Sequence, residues 1–196
     1  MKPQILVSAV TAGSGKTLFT MGLLRALKNR GMKVQPYKCG ADFIDSSYLS
    51  IAADKESVNL DAWMSSPTHT QHIYNRYGEQ ADACITEGTA ALFDGYRRMQ
   101  GSSAEIANIL NLPVILLVNA RMAGYSVAPL LYGYKNFFSG VHIAGVIFNQ
   151  VSSPAHYAHL REACSDTGLD CLGYLPVIEE VKLFPKHNAI SLANRR

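Results

Sequence analysis

The chain is 196 residues long, 48% hydrophobic and 17% charged, a balance that supplies one self-supporting core and excludes an intrinsically disordered protein. Its 18 Lys+Arg and 15 Asp+Glu give a formal charge of +3, and no basic run exceeds Arg97-Arg98 or Arg195-Arg196, so nucleic acid is not an expected partner. The apolar stretch Pro113 to Val118 is too short to span a bilayer, and the opening MKPQILVSAV runs into a glycine-rich loop instead of a cleavage site, which predicts a cytoplasmic protein with no membrane association. Cys39, Cys84, Cys164 and Cys171 contain no C-x-x-C pair and read as reduced, mostly buried thiols. His69 and His72, like His156 and His159, have no third ligand nearby and read as surface histidines.

In chain order, Gln4 to Val10 is a continuous β-favouring run, as in a strand covered on both faces. Thr17 to Lys28 carries Leu18, Met21, Leu24 and Leu27 at helical spacing and stops at Gly31. Lys33 to Lys38 predicts a second strand. Ser66 then caps a helix that has Pro67 at its first position and Gly78 at its end. Ala83 to Thr86 is a short strand ending at Glu87, and Ser102-Ser103-Ala104-Glu105 resembles a capping box ahead of Ile106, Ile109 and Leu110. The strand PVILLV follows, then a helix from Ser126 to Phe138, whose Pro129 the first turn tolerates. A strand from Val141 to Phe148, a helix from Pro154 to Ser165 and a strand from Cys171 to Leu175 complete the series. Each parallel strand connection needs a crossover, so this alternation predicts an α/β fold: a mostly parallel sheet with helices on both faces. No linker divides the chain, and a single domain over 1–196 is expected.

The first strand leads into VTAGSGKT, residues 10–17. Backbone N–H groups of Gly13, Ser14 and Gly15 in such a loop turn inward around a phosphate, and the helix behind presents its positive end to the same anion. Lys16 is expected to reach the β- and γ-phosphates and the Thr17 hydroxyl to ligate Mg²⁺, with Leu18 following in the nucleotide-contacting first turn. Val10 replaces the first glycine of the usual pattern at the loop entrance, where a side chain can point into the core. The three-layer fold expected is thus P-loop NTPase-like, and nucleotide binding is the expected function, although the loop alone does not separate kinases, GTPases, partition ATPases and ligases.

The second strand ends in YKCGADFIDSSYL and the third in ITEGTAALFDG, so Lys38, Asp42, Asp45, Glu87 and Asp94 lie beyond C-terminal strand edges, where open parallel sheets bind ligands. Singly, Asp42 and Asp45 also suit helix capping, and Glu87 a solvated loop. Together, beside a phosphate loop, they suit a Mg·ATP site, which needs anionic oxygens for the metal and a lysine for charge developing in transfer. The loops from Asp42 to Leu49 and from Thr89 to Gly101 are expected to cover the substrate, with Arg97 and Arg98 available to carboxylates.

SGKT, KCGADFID, NLDAWM, EGTAALFDG, GSSAEIA, PVILLVNA, GVIFNQV, LGYLP and KHNAISL occur in an order that resembles the N-terminal ATP-dependent amidoligase domain of cobyrinic acid a,c-diamide synthases, a relative of dethiobiotin synthetase among P-loop ligases. The resemblance implies that ATP phosphorylates a carboxylate of a corrin precursor and that ammonia, released from glutamine by a glutaminase domain, displaces the phosphate. It further implies that Thr17, Asp42 and Glu87 hold Mg²⁺, that Lys16 and Lys38 steady the phosphoryl group, that Asp45 positions metal or acceptor, that Asn149 recognises adenine, and that the protein is a homodimer. Ala41 and Ser46 stand where the family usually has proline, Leu49 where histidine often follows the tyrosine, and Thr89-Ala90-Ala91 where a V-M-G type sequence is favoured. The family's C-terminal glutaminase half does not follow KHNAISLANRR, which leaves three readings: a domain cut from a longer protein, a split gene with a separate glutaminase, or use of free ammonia. A dethiobiotin synthetase-like carboxylase and a non-catalytic P-loop switch protein are the rival readings; against the switch, residues 8 to 12 lack the extra lysine common in partition ATPases.

Overall fold

Alternate residues of a strand face opposite ways, so a strand that is apolar at every position has to be covered on both sides. In the computed structural model, which describes residues 2–178, β1 (Gln4–Ala9) sends Leu6 into one core and Val7 and Ala9 into another. β5 (Val114–Asn119) divides Val114, Leu116 and Val118 from Ile115 and Leu117 in the same way. The intervening elements are α1 (Lys16–Asn29), β2 (Val34–Cys39), α2 (Phe43–Ala53), β3 (Val58–Leu60), α3 (Pro67–Gly78), β4 (Ala83–Glu87) and α4 (Ser103–Leu110). After β5 come α5 (Val127–Asn136), β6 (Ile143–Val151), α6 (Pro154–Asp166) and β7 (Cys171–Pro176). KHNAISL lies outside the described residues.

The seven strands form one sheet in the order β3-β2-β4-β1-β5-β6-β7, and every pairing is parallel. Leu24 of α1 and Leu49, Ala52 and Ala53 of α2 fill the core on one face. Tyr74 of α3, Ile106 of α4, Leu131 of α5 and Leu160 of α6 fill the other. Among the described residues no helix is long and apolar enough to cross a membrane.

Two elements depart from the sequence reading. Residues expected as a cover loop form α2, started by Asp42, whose carboxylate accepts from the N–H groups of Ile44 (3.1 Å) and Asp45 (3.0 Å). Its buried face mixes the polar Asp45 and Ser46 with Leu49, Ala52 and Ala53 while Phe43 and Ile51 are exposed, so the apolar stripe that would announce the helix is broken in its first half. The short edge strand β3 pairs only with Tyr37, Lys38 and Cys39, which leaves Pro36, a residue with no N–H to give, just before the ladder begins.

Candidate active site

Gly15 begins α1 at φ 92°, a left-handed conformation that costs glycine little, and a Cβ there would lie 2.3 Å from Asn149 Nδ2. That amide of Asn149, at the end of β6, donates to the carbonyl of Ser14 (2.8 Å), and its Oδ1 accepts from Gln150 N–H (2.9 Å). The Ser14 hydroxyl donates to the Thr11 carbonyl (2.7 Å). Val10 turns its side chain into the core and gives its carbonyl to the Tyr134 hydroxyl (2.6 Å). The loop is therefore held from three sides, and the replaced glycine sits where no backbone freedom is used.

Strand register assembles the charged floor. β2 and β4 pair with Lys38 opposite Glu87, and because side chains alternate with period 2, one residue of slip would put the two on opposite faces of the sheet. Lys38 donates to Glu87 Oε1 (2.8 Å), to Asp45 Oδ2 (3.0 Å) and to the Gly88 carbonyl (3.1 Å). The Thr17 hydroxyl, from the first turn of α1, donates to the same Glu87 Oε1 (2.8 Å). The Lys38 side chain is 2% exposed and Glu87 is fully buried. Burial works to lower the Lys38 pKa, but Glu87 and Asp45 outweigh it and the ammonium is held above the usual lysine value. Burial pushes the Glu87 carboxyl up, with Lys38 and Thr17 opposing it only in part. Both acids thus meet the Lys38 ammonium on the cavity floor.

These groups and Lys16 line a cavity of about 340 Å³. Among the described residues Glu87 Oε2 is buried without a hydrogen-bond partner, an orphaned acceptor of the kind that a bound cation satisfies. With the Thr17 hydroxyl it makes a hard oxygen set that fits Mg²⁺, an ion that commonly keeps waters and takes only one or two carboxylates. The Lys16 ammonium donates across the cavity to the Ala90 carbonyl. Of the expected site residues, Gly13, Gly15, Lys16, Thr17, Lys38, Asp45 and Glu87 meet at this cavity. Asp42 sits apart as the α2 cap, Leu18 is half-buried in the helix, Ser14 is buried within the loop, and Asn149 has its amide engaged by that loop.

One residue outside the expected set links these parts. Asn59 of β3 donates to the carbonyls of Gly40 (2.6 Å) and Asp42 (3.2 Å) and accepts from the Ser46 hydroxyl (3.0 Å), fixing the turn between β2 and α2 and so the aim of Asp45. Its only sequence signal is its place in NLDAWM.

The chain is 39% identical over 188 residues to a cobyrinate a,c-diamide synthase of Dehalococcoides mccartyi, covering 94% of this chain and 41% of the relative. It is 41% identical over 183 residues to a hydrogenobyrinate a,c-diamide synthase of Brucella ovis, covering 93% of this chain and 42% of that protein. The chain thus spans about two-fifths of the length of these curated relatives. Chloroplast FtsY from Physcomitrella patens superposes with a TM-score of 0.65 at 14% identity, over 97% of this chain and 65% of FtsY, a likeness of fold. The profile of the CobQ/CobB/MinD/ParA nucleotide binding domain matches residues 5–191, from within the first strand past the last described one, and the chain belongs to that family.

Proposed function

We propose that this chain is the ATP-dependent amidoligase unit of a cobyrinate a,c-diamide synthase, in the dethiobiotin synthetase-like branch of P-loop ligases. The observation that carries the reading is the Lys38 ammonium held between Glu87 and Asp45 on the floor of the phosphate cavity. A cation buried there is positioned for the negative charge that spreads over a transferring phosphoryl group, and its surroundings need no reorganisation to stabilise it. The curated relatives, named as a,c-diamide synthases, support a corrin acid as acceptor.

In this reading the acceptor carboxylate attacks the γ-phosphorus of ATP and ADP departs. Ammonia then displaces phosphate from the acyl phosphate to leave the amide. Lys16 exchanges the Ala90 carbonyl for the β- and γ-phosphates, while Lys38 offsets charge on the group in flight. Asp45 holds Lys38 and orients the acceptor, and Asn149 acts on the nucleotide through the loop it fixes. Mg²⁺, held by the Thr17 hydroxyl and Glu87, would neutralise phosphate oxygens; Asp42, whose Oδ1 takes both cap bonds, would offer Oδ2 to that set. Ammonia comes from glutamine through a glutaminase domain or partner, and the working unit is a homodimer.

The test is to incubate the chain with Mg·ATP, ammonium and either cobyrinic acid or diaminopelargonic acid, following ADP and product mass. ADP release that depends on cobyrinic acid, with mono- and diamide products, is expected. Release dependent on the diamine would move the chain to the carboxylase reading, and no acceptor dependence at all would refute a ligase.

A further inference from the structure

Two large exposed aromatic side chains meet on the surface. Trp63 is 70% exposed and Tyr96 64% exposed, yet their rings lie edge to face with centroids 6.1 Å apart. Neither stands on loose chain. Beyond β3, Asp61 Oδ1 accepts from the N–H groups of Trp63 (2.8 Å) and Met64 (3.1 Å), and the Asp61 carbonyl accepts from the Ser65 hydroxyl (2.7 Å). Beyond β4, Gly95 N–H donates to Arg98 O (2.8 Å) and Tyr96 N–H to Gln100 O (3.0 Å), closing a tight hairpin.

Arg98 sits in that hairpin at φ 55°, a strained value for a side-chain-bearing residue. The Tyr96 ring lies against Gly101, where an added Cβ would be 2.8 Å from ring carbon Cδ1. Gly101 N–H in turn donates to Glu105 Oε2 (2.6 Å), and the Ser102 hydroxyl accepts from Glu105 N–H (3.2 Å), which bolts the hairpin to α4. Held backbone strain and exposed aromatic rings contribute little to folding; both are features of surfaces shaped for a ligand. Arg97 and Arg98 are exposed in the same hairpin.

Both turns rise from the C-terminal sheet edge that carries the phosphate cavity. β3 adjoins β2, and the loop that forms the hairpin begins with Thr89 and Ala90, which line the cavity. We infer that Trp63 and Tyr96 form a platform for the face of a macrocyclic acceptor, that Arg97 and Arg98 bind its rim carboxylates, and that this hairpin sets acceptor specificity. The inference rests on the amidoligase reading above. A broad conjugated ring ringed by carboxylates matches an aromatic shelf whose hairpin also exposes two arginines, each able to pair with a carboxylate through two hydrogen bonds. A short linear diamino acid offers no face to stack and a single carboxylate.

The test uses the 196-residue chain with Mg·ATP, ammonium and cobyrinic acid, comparing it with Trp63→Ala, Trp63→Phe and the double variant Arg97→Ala/Arg98→Ala. Kd for cobyrinic acid and for ATP is measured calorimetrically, beside KM and kcat. Trp63→Ala and the double arginine variant are each expected to raise Kd and KM for cobyrinic acid by roughly tenfold or more, with ATP affinity retained and Trp63→Phe recovering most of the loss. Added salt should weaken cobyrinic acid binding to the parent chain more steeply than to the arginine variant. Because Trp63 is the only tryptophan in the chain, its fluorescence also reports the titration directly. If the parent chain amidates cobyrinic acid and all variants share its KM, the platform is refuted while the amidoligase reading stands. If the parent neither binds nor amidates it, that reading falls and the platform falls with it.

Discussion

Replacing Lys38 with methionine keeps most of the stem volume and removes a cation that touches both Glu87 and Asp45. The change leaves the Gly88 carbonyl without this donor and a fully buried carboxylate without its counter-charge. Losing one member of a buried ion pair costs about 3–5 kcal/mol, a large part of the roughly 5–15 kcal/mol that holds an ordinary domain together. The Thr17 hydroxyl still donates to Glu87 at 2.8 Å, so the lower end, about 3 kcal/mol, is expected.

The same variant should acquire a pH dependence. Burial already pushes the Glu87 carboxyl up, and Lys38 is the strongest opposing influence. Without Lys38 the folded carboxyl rises further, so the folded variant holds a proton that an unfolded glutamate, with a pKa of about 4.3, has released. A fold that binds more protons than its unfolded chain loses stability as pH rises from the unfolded value to the folded one. The raised Lys38 pKa of the parent acts only in the alkaline range, where its contribution is lost as pH rises through the elevated lysine value, and the Glu87 rise that Lys38 restrains gives the parent a shallower slope than the variant. Urea unfolding in metal-free buffer at about pH 5 and pH 8 should therefore show a larger penalty at the higher pH. Adding Glu87→Gln to the Lys38→Met variant should restore part of the stability and remove the slope. An equal penalty at both pH values with no recovery in the double variant would refute the coupling.

Glu87→Gln alone should lower kcat for acceptor-dependent ADP release by roughly 10²–10³-fold while ATP affinity stays within a few-fold; near-normal turnover would remove Glu87 from the metal site. Asp42→Ala should cost about 1 kcal/mol in thermal unfolding and Asp42→Ser, which can still cap α2, much less. Activity surviving in Asp42→Ser would assign Asp42 to the cap, whereas a stable but inactive variant would assign it to the metal. Gly15→Ala, placed at φ 92° with its Cβ 2.3 Å from Asn149 Nδ2, should abolish binding of a non-hydrolysable ATP analogue, as read by calorimetry. Burial raises the thiols of Cys39 and Cys164 to about 12 each, so labelling at mildly alkaline pH should reach at most the half-buried Cys171 in the native protein and every thiol after unfolding.

The parts of the fold that were readable in the sequence are those where local pattern and burial agree. PVILLV is apolar at every position because β5 is covered on both faces, and Ser66-Pro67 starts α3 where capping chemistry says it should. The elements missed are those whose signal is tertiary. β3 is three residues long and owes its existence to β2, while α2 buries Asp45 and Ser46, polar residues that no hydrophobic period reveals. The site divides in the same way. Lys16 and Thr17 follow from a local motif. The contact of Lys38 with both acids depends on the register of β2 against β4 and on residues 43–53 being helical, neither of which local spacing fixes. Asp42 and Asp45 are three apart in an acidic segment that suits two metal ligands equally well; helix formation separates them, turning one to the cap and the other to Lys38.

That separation bears on how the site handles charge. With Asp42 capping α2 and Lys38 meeting both Glu87 and Asp45, Glu87 Oε2 has no donor among the described residues. Burying an unsatisfied carboxylate oxygen is unfavourable, and the fold tolerates it because strand register and the Asn59 network fix the groups before any ligand arrives. A cation binding at Glu87 satisfies that oxygen, and a nucleotide supplies the phosphates that such a cation and Lys16 require. Each therefore gains from the presence of the other, and this coupling makes their joint stabilisation of the fold exceed the sum of their separate effects. Thermal unfolding of the chain with Mg²⁺ alone, with ATP alone and with both should show that excess. It should vanish in Glu87→Gln, where the carboxylate oxygen that takes the cation is gone.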